Sequence, residues 1–191
     1  MTIKAIKNHI IFKFVDKTNA KGQFEREQTE GGIVLQSSFD ESAKEPRWVE
    51  VVAVGPDCTK VKVGERALVP ALRWTEGANL NGSRFWKTNE VEVVAVLRDD
   101  LKFPIQPINK WVIFQRAEKD IKSSAAGLIV VRGVGNTPTG YTLAIGPDCD
   151  SVLTKAKIYF SDQNFFNDFY HTSQKLSFIK EDDVIAYEPF N

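Results

Sequence analysis

Gly55-Pro56-Asp57-Cys58 and Gly146-Pro147-Asp148-Cys149 are one tetrapeptide written twice, 91 positions apart, and the surroundings of each copy repeat as well. Ahead of the first stand Gly31-Gly32-Ile33-Val34-Leu35, a polar stretch and Val52-Ala53-Val54. Ahead of the second stand Ala126-Gly127-Leu128-Ile129-Val130 and Tyr141-Thr142-Leu143-Ala144-Ile145. Ile11-Phe12 answers Ile113-Phe114, and Arg98-Asp99-Asp100 is matched with Glu181-Asp182-Asp183. A repeat of this length makes each copy a structural unit rather than one turn of a solenoid. The expected organisation is two similar domains, 1–106 and 107–191, with Pro104 and Pro107 bracketing a short, stiff linker.

Composition agrees and removes several classes of function. In 191 residues two such units can each bury a core, and 42% hydrophobic residues is a globular value. Lys+Arg and Asp+Glu balance at 25 each, so no basic field is available for nucleic acid or an anionic membrane. The apolar run 125–131 is far short of a membrane span, and the first residues, Met1-Thr2-Ile3-Lys4-Ala5-Ile6-Lys7, carry no apolar signal core. Export is not indicated, and a cytoplasmic location is expected. Cys58 and Cys149 hold equivalent turn positions in separate units, so two reduced thiols are expected rather than a bridge.

The chain reads as all-β. Residues 9–15, 48–54, 91–97, 110–115, 141–145 and 184–187 are short runs rich in Val, Ile, Phe, Tyr and Trp, punctuated by Gly, Pro, Asn and Asp. No helical stripe is sustained; only Phe165, Phe166 and Phe169 are spaced for a single helical turn. Small antiparallel barrels or sandwiches fit this pattern.

Each unit also carries one long connection foreign to a tight barrel. Residues 17–30 are polar, nearly free of aliphatics, and end in the Gly31-Gly32 hinge before Ile33, Val34 and Leu35. The second unit has a shorter version, 119–126, ending in Gly127 before Leu128, Ile129 and Val130. A polar tether with an apolar tip suits docking into a partner's greasy groove. The residues alone favour the plainer reading, in which the triplets are buried strands after a surface loop.

A family resemblance shifts that balance. The apolar first strand, the polar loop, Gly-Gly-Ile-Val-Leu, the Ala53-Val54-Gly55 turn, Val61-Lys62-Val63-Gly64-Glu65 and a closing strand near Asp99-Asp100 together resemble the GroES-type co-chaperonins. The likeness spans nearly all of the first unit and, more loosely, the second. It implies two tandem GroES-like small antiparallel β-barrels, no cofactor, and a ring-shaped homo-oligomer that caps a GroEL-type chaperonin ring. It also implies that Ile33, Val34 and Leu35, with Leu128, Ile129 and Val130, dock on the chaperonin, hinged at Gly31, Gly32 and Gly127. The roof hairpin of bacterial members has no counterpart, since only residues 56–60 separate Gly55 from Val61. That shortening resembles the co-chaperonins encoded by bacteriophages, which would put the protein in a host cytoplasm.

Two features depart from the family. The second unit has Ser151-Val152-Leu153-Thr154-Lys155-Ala156-Lys157 where the first has its Val-Gly-Glu turn; without a glycine it is expected to turn differently. Two-domain chains also cannot tile the family's seven positions evenly. Either one domain forms the ring and the other stacks on it, or the number of positions differs.

Burying three aliphatic side chains is worth about 5–8 kcal/mol. Ordering a loop costs about 1 kcal/mol or more per residue, so one tip binds weakly and several must act together.

Enzymatic readings have little to stand on. His9 and His171 lie near no Cys or second His at metal-ligand spacing, and no Cys-x-x-Cys occurs. Gly133-Val134-Gly135-Asn136 lacks the third glycine of a nucleotide fingerprint. No catalytic residue and no metal ligand is therefore assigned. The aromatic group Tyr159, Phe160, Phe165, Phe166, Phe169 and Tyr170 reads either as core or as an exposed contact patch, and Trp74, Phe85 and Trp86 pose the same choice. The rival function is a bacteriophage virion structural protein, a head-decoration or assembly component on the same fold.

Overall fold

The computed structural model describes residues 3–16, 45–80, 82–98, 103–117, 121–123, 129–131, 137–152, 154–161 and 167–190. They are all-β: the only helical pieces are two 3₁₀ turns, Glu90–Glu92 and Glu181–Asp183. The first unit contains β1 (His9–Phe14), β2 (Arg47–Val54), β3 (Arg66–Val69), β4 (Ala78–Leu80), β5 (Ser83–Asn89), β6 (Ala95–Leu97) and β7 (Ile105–Pro107). The second contains β8 (Trp111–Arg116), β9 (Ile121–Ser123), β10 (Ile129–Val131), β11 (Thr139–Ile145), β12 (Ala156–Phe160), β13 (Asp168–His171), β14 (Gln174–Lys180) and β15 (Val184–Pro189).

The duplication is visible in the topology. One antiparallel sheet runs β4-β5-β1-β2-β3-β6-β7 and the other runs β13-β14-β8-β11-β12-β15, the same order with β7 added at one edge. Trp48 faces Leu68 as Thr139 faces Tyr159, and Leu68 faces Ala95 as Tyr159 faces Ala186; every equivalence is 91 positions. Among the described residues neither sheet closes on itself: β4 and β7 end one, β13 and β15 the other.

Several sequence expectations change here. The run 91–97 opens with a 3₁₀ turn before β6, and the true counterpart of Glu181–Asp183 is Glu90–Glu92, not 98–100. The supposed linker is β7, which pairs with β6; Pro107 is tolerated because β7 is an edge strand. The glycine-free turn of the second unit keeps the first unit's shape, with Lys155 at φ +59 where Gly64 has φ +86. Phe169, spaced for a helical turn, lies in β13.

Each unit encloses its own core on one side of its sheet. Ile10, Phe12, Val49, Val51, Val61 and Val96 fill the first, and Phe114, Val152, Ile158, Phe160 and Ile179 the second. A third cluster lies between the units: Leu68, Val94, Ala95 and Ile105 meet Trp111, Ile113, Phe169, Leu176 and Phe178. This explains a pattern in the strands. β8 is buried at four consecutive residues because Val112 and Phe114 face the unit's own core while Trp111 and Ile113 face the other unit. The aromatic group therefore divides: Phe160 is unit core, Phe169 is inter-unit core, and Tyr170 is exposed. Trp86 and Phe85 are buried, and Trp74 packs on Phe14. No helix among the described residues is long and apolar enough to cross a membrane.

Candidate functional site

The long connections leave from equivalent corners. In the first unit Val15 N–H donates to Trp48 O at 3.1 Å, and Arg47 bridges Asp16 at 2.9 Å and Glu45 at 3.3 Å. The segment 17–44 is thereby rooted on two adjacent antiparallel strands, β1 and β2. In the second unit Ala117 N–H donates to Thr139 O at 2.9 Å, the same position on β8 and β11. Phe12 and Phe114 are 102 apart whereas Gly55 and Gly146 are 91 apart, so the first connection is the longer by the difference. Ile33, Val34, Leu35, Gly31, Gly32, Gly127 and Leu128 lie outside the described residues. Ile129 and Val130 lie in β10, paired with β9 in a two-stranded ladder apart from both main sheets.

The three residues that follow each copy of the tetrapeptide form the same polar feature in both units. Glu90 Oε1 accepts the Lys60 and Val61 N–H groups at 2.7 and 3.0 Å, and Oε2 accepts Thr59 N–H at 3.1 Å. Glu181 repeats this with Ser151, Val152 and Asp150 at 2.6, 3.0 and 3.1 Å. Three consecutive amides thus cradle a carboxylate, an anion nest filled by the chain itself. Burial pushes the Glu181 carboxyl up, but its three amide donors and the nearby Lys110 outweigh that and hold it below the usual carboxylate range. A carboxylate committed in this way is a fastener, not an acid or base for chemistry.

The tetrapeptide also explains its own glycines. A Cβ on Gly55 would lie 2.0 Å from Lys7 O, and one on Gly146 would lie 2.1 Å from Asn109 O. Asp57 and Asp148 N–H donate to those same carbonyls, at 3.1 and 3.2 Å. Lys7 and Asn109 reach these positions with φ of +52 and +54. Cys58 and Cys149 are free, and each thiol points at a backbone carbonyl, of His9 and Trp111 respectively. Burial, with Glu181 adding to it, pushes the Cys149 thiol up to about 11, so it is a poor nucleophile.

One further polar group sits on β13 and β14. Asp168 accepts from Ser177 and Arg116 and pairs with Lys175 at 2.9 Å. Burial raises its carboxyl, but the Ser177, Lys175 and Arg116 contacts prevail and lower it. His9 begins β1 and His171 ends β13, the latter with its ring 6.5 Å from that of Trp48. Among the described residues no three His, Cys, Asp or Glu side chains gather as a metal site.

The sequence pattern set Glu181 against Arg98 and left Glu90 unmarked. The signal was available: the 91-residue spacing that joins the tetrapeptides also carries Glu90 onto Glu181. No protein-family model matches the chain, and no curated protein matches it.

Proposed function

We propose that this protein is a co-chaperonin, which caps a GroEL-type chaperonin ring through its long connections and assists folding without chemistry of its own. The observation that carries this reading is that two units of one strand order each send a long connection from the same corner, and each connection includes a glycine followed by an aliphatic triplet. Under it each unit is a GroES-like small β-barrel, supported by the shared strand order and the apolar cluster on one side of each sheet. Ile33, Val34 and Leu35 make the main docking contact and Leu128, Ile129 and Val130 a lesser one, hinged at Gly31, Gly32 and Gly127. Weak single tips require a homo-oligomer, with avidity supplied by several tips on one chaperonin ring. The site of action is the cytoplasm, a host's if the gene is carried by a bacteriophage.

The test is Ile33→Ser and Leu35→Ser, each assayed for chaperonin capture and for thermal stability. A docking tip loses capture while stability changes by well under ~1 kcal/mol. If Leu35→Ser instead costs about 2–5 kcal/mol, the triplet is core and the docking assignment fails. The virion-component reading then takes its place.

A further inference from the structure

The two units differ in chemistry at equivalent positions of their sheets. In the second unit Trp111 and Phe178 are buried in the cluster that meets Leu68, Val94, Ala95 and Ile105 of the first. Their equivalents in the first unit are His9, 102 positions back, and Lys87, 91 positions back. Where the chain covers this wall the wall is apolar. Where the chain leaves it open, it carries an imidazole and an ammonium, a poor surface for an apolar partner.

The polar wall borders a groove of about 310 Å³, at the small end for ligand sites, lined by His9, Arg73, Trp74, Thr75, Lys87 and Glu92 among others. Its rim is fixed. Thr75 N–H donates to Lys87 O at 3.0 Å and Thr88 Oγ1 donates to Arg73 O at 2.6 Å, which pins residues 73–75 alongside β5. His9 is held at the start of β1, where it pairs with Asn89 of β5.

The charged side chains of the lining are Arg73, Lys87 and Glu92, two cations against one carboxylate. Glu92 Oε2 lies 3.6 Å from Arg73 Nε, so the carboxylate is matched and takes one edge of a guanidinium that has five N–H donors. The terminal amino groups of Arg73 and the ammonium of Lys87 have no acceptor among the described residues. His9 adds a neutral donor. Its Nδ1 is buried and has no hydrogen-bond partner among the described residues. A buried N–H without an acceptor is costlier than a bare lone pair, so Nδ1 is the bare nitrogen and Nε2 carries the proton. Nε2–H is then the donor that the ring can turn to the groove.

We infer that this groove binds a phosphate group through Lys87 Nζ, the terminal amino groups of Arg73 and His9 Nε2, with the Thr75 hydroxyl beside them. The donors come from β1, β5 and the segment before β4, more than the two oxygens of a carboxylate can use. A phosphate group, with at least three acceptor oxygens, takes them all. The second unit has no such site, since Trp111 and Phe178 stand in place of His9 and Lys87. The loop tips take no part, so this site and chaperonin capture stand or fall separately.

The experiment is a titration of the full chain with inorganic phosphate, read by long-range proton–nitrogen NMR of the imidazoles at fixed pH, with chloride balancing the ionic strength. The chain has two histidines, so His171→Asn assigns the spectrum and His171 serves as the internal control. Without phosphate, His9 shows the Nε2–H tautomer. Phosphate shifts the His9 signals saturably and leaves those of His171 unmoved. Lys87→Gln and Arg73→Gln each weaken binding by about tenfold or more. Both side chains are exposed, so both variants fold, and circular dichroism with a thermal melt verifies it. Glycerol phosphate is titrated alongside: tighter binding than inorganic phosphate makes the ligand a phosphomonoester, and weaker binding makes it the free ion. An Nδ1–H tautomer, a His9 signal that phosphate does not move, a shift that acetate or chloride reproduces, or an affinity unchanged in Lys87→Gln overturns the proposal.

Discussion

Replacing Glu181 by Gln, or Glu90 by Gln, isolates the contribution of the carboxylate fastener. The amide keeps one carbonyl oxygen for two of the three N–H groups, as Oε1 now serves Ser151 and Val152. Its NH₂ is turned against the third donor, Asp150 N–H, which loses its acceptor. An unmade hydrogen bond at this part-buried amide costs about 1 kcal/mol or more, and the two that remain lose their charge assistance. The expected loss is about 2–4 kcal/mol per fastener. For a chain of this size each kcal/mol lowers Tm by about 2–4 °C, so calorimetry reads a drop of about 4–16 °C. Glu→Ala leaves three donors unmet and costs more. A Glu181→Gln variant melting within about 1 °C of wild type would refute the claim that Glu181 fastens the segment just after the Gly-Pro-Asp-Cys turn through these three amides.

Other outcomes follow from the same geometry. Lys155 sits at φ +59, where an L side chain costs about 1 kcal/mol, so Lys155→Gly should leave stability unchanged or raise it by up to about 1 kcal/mol in a chemical melt. Glu181 and Asp168 both titrate below their ordinary values, so the stability they confer is complete above the unfolded pKa of about 4 and is lost as pH falls through the lower folded values. Melts from pH 6 to pH 2 should show that acid limb, and Glu181→Gln should flatten part of it. Phe178 is buried where the units meet, so Phe178→Ala should cost about 3–5 kcal/mol and destabilise both together. Calorimetry should give one unfolding transition; two well-separated ones would mean that the inter-unit cluster does not couple the units.

The duplication was legible in the sequence because the tetrapeptide is constrained on every side. Its glycine touches a backbone carbonyl, its aspartate amide bonds to that carbonyl, and its cysteine fills the space beneath. The all-β class was legible from strand composition for the same local reason. What stayed hidden depends on partners distant in sequence. Ile105–Pro107 looks like a linker because proline punctuates local structure, and only its partner β6 makes it a strand. Lys155 looked incompatible with a glycine turn, but the cradled amides before it and the strand after it hold the backbone in place. The aromatics of the second unit could not be sorted because Phe160 and Phe169 differ only in which unit they face. The proposed loop tips are a harder case, since an aliphatic triplet after glycine reads equally as strand or as docking tip.

The co-chaperonin reading is tested most directly by co-sedimentation of the wild-type protein with a GroEL-type ring, with and without nucleotide. The account predicts nucleotide-dependent capture that Leu35→Ser abolishes without lowering Tm. Absence from the ring fraction under every nucleotide condition, with the protein folded and assembled, would contradict it.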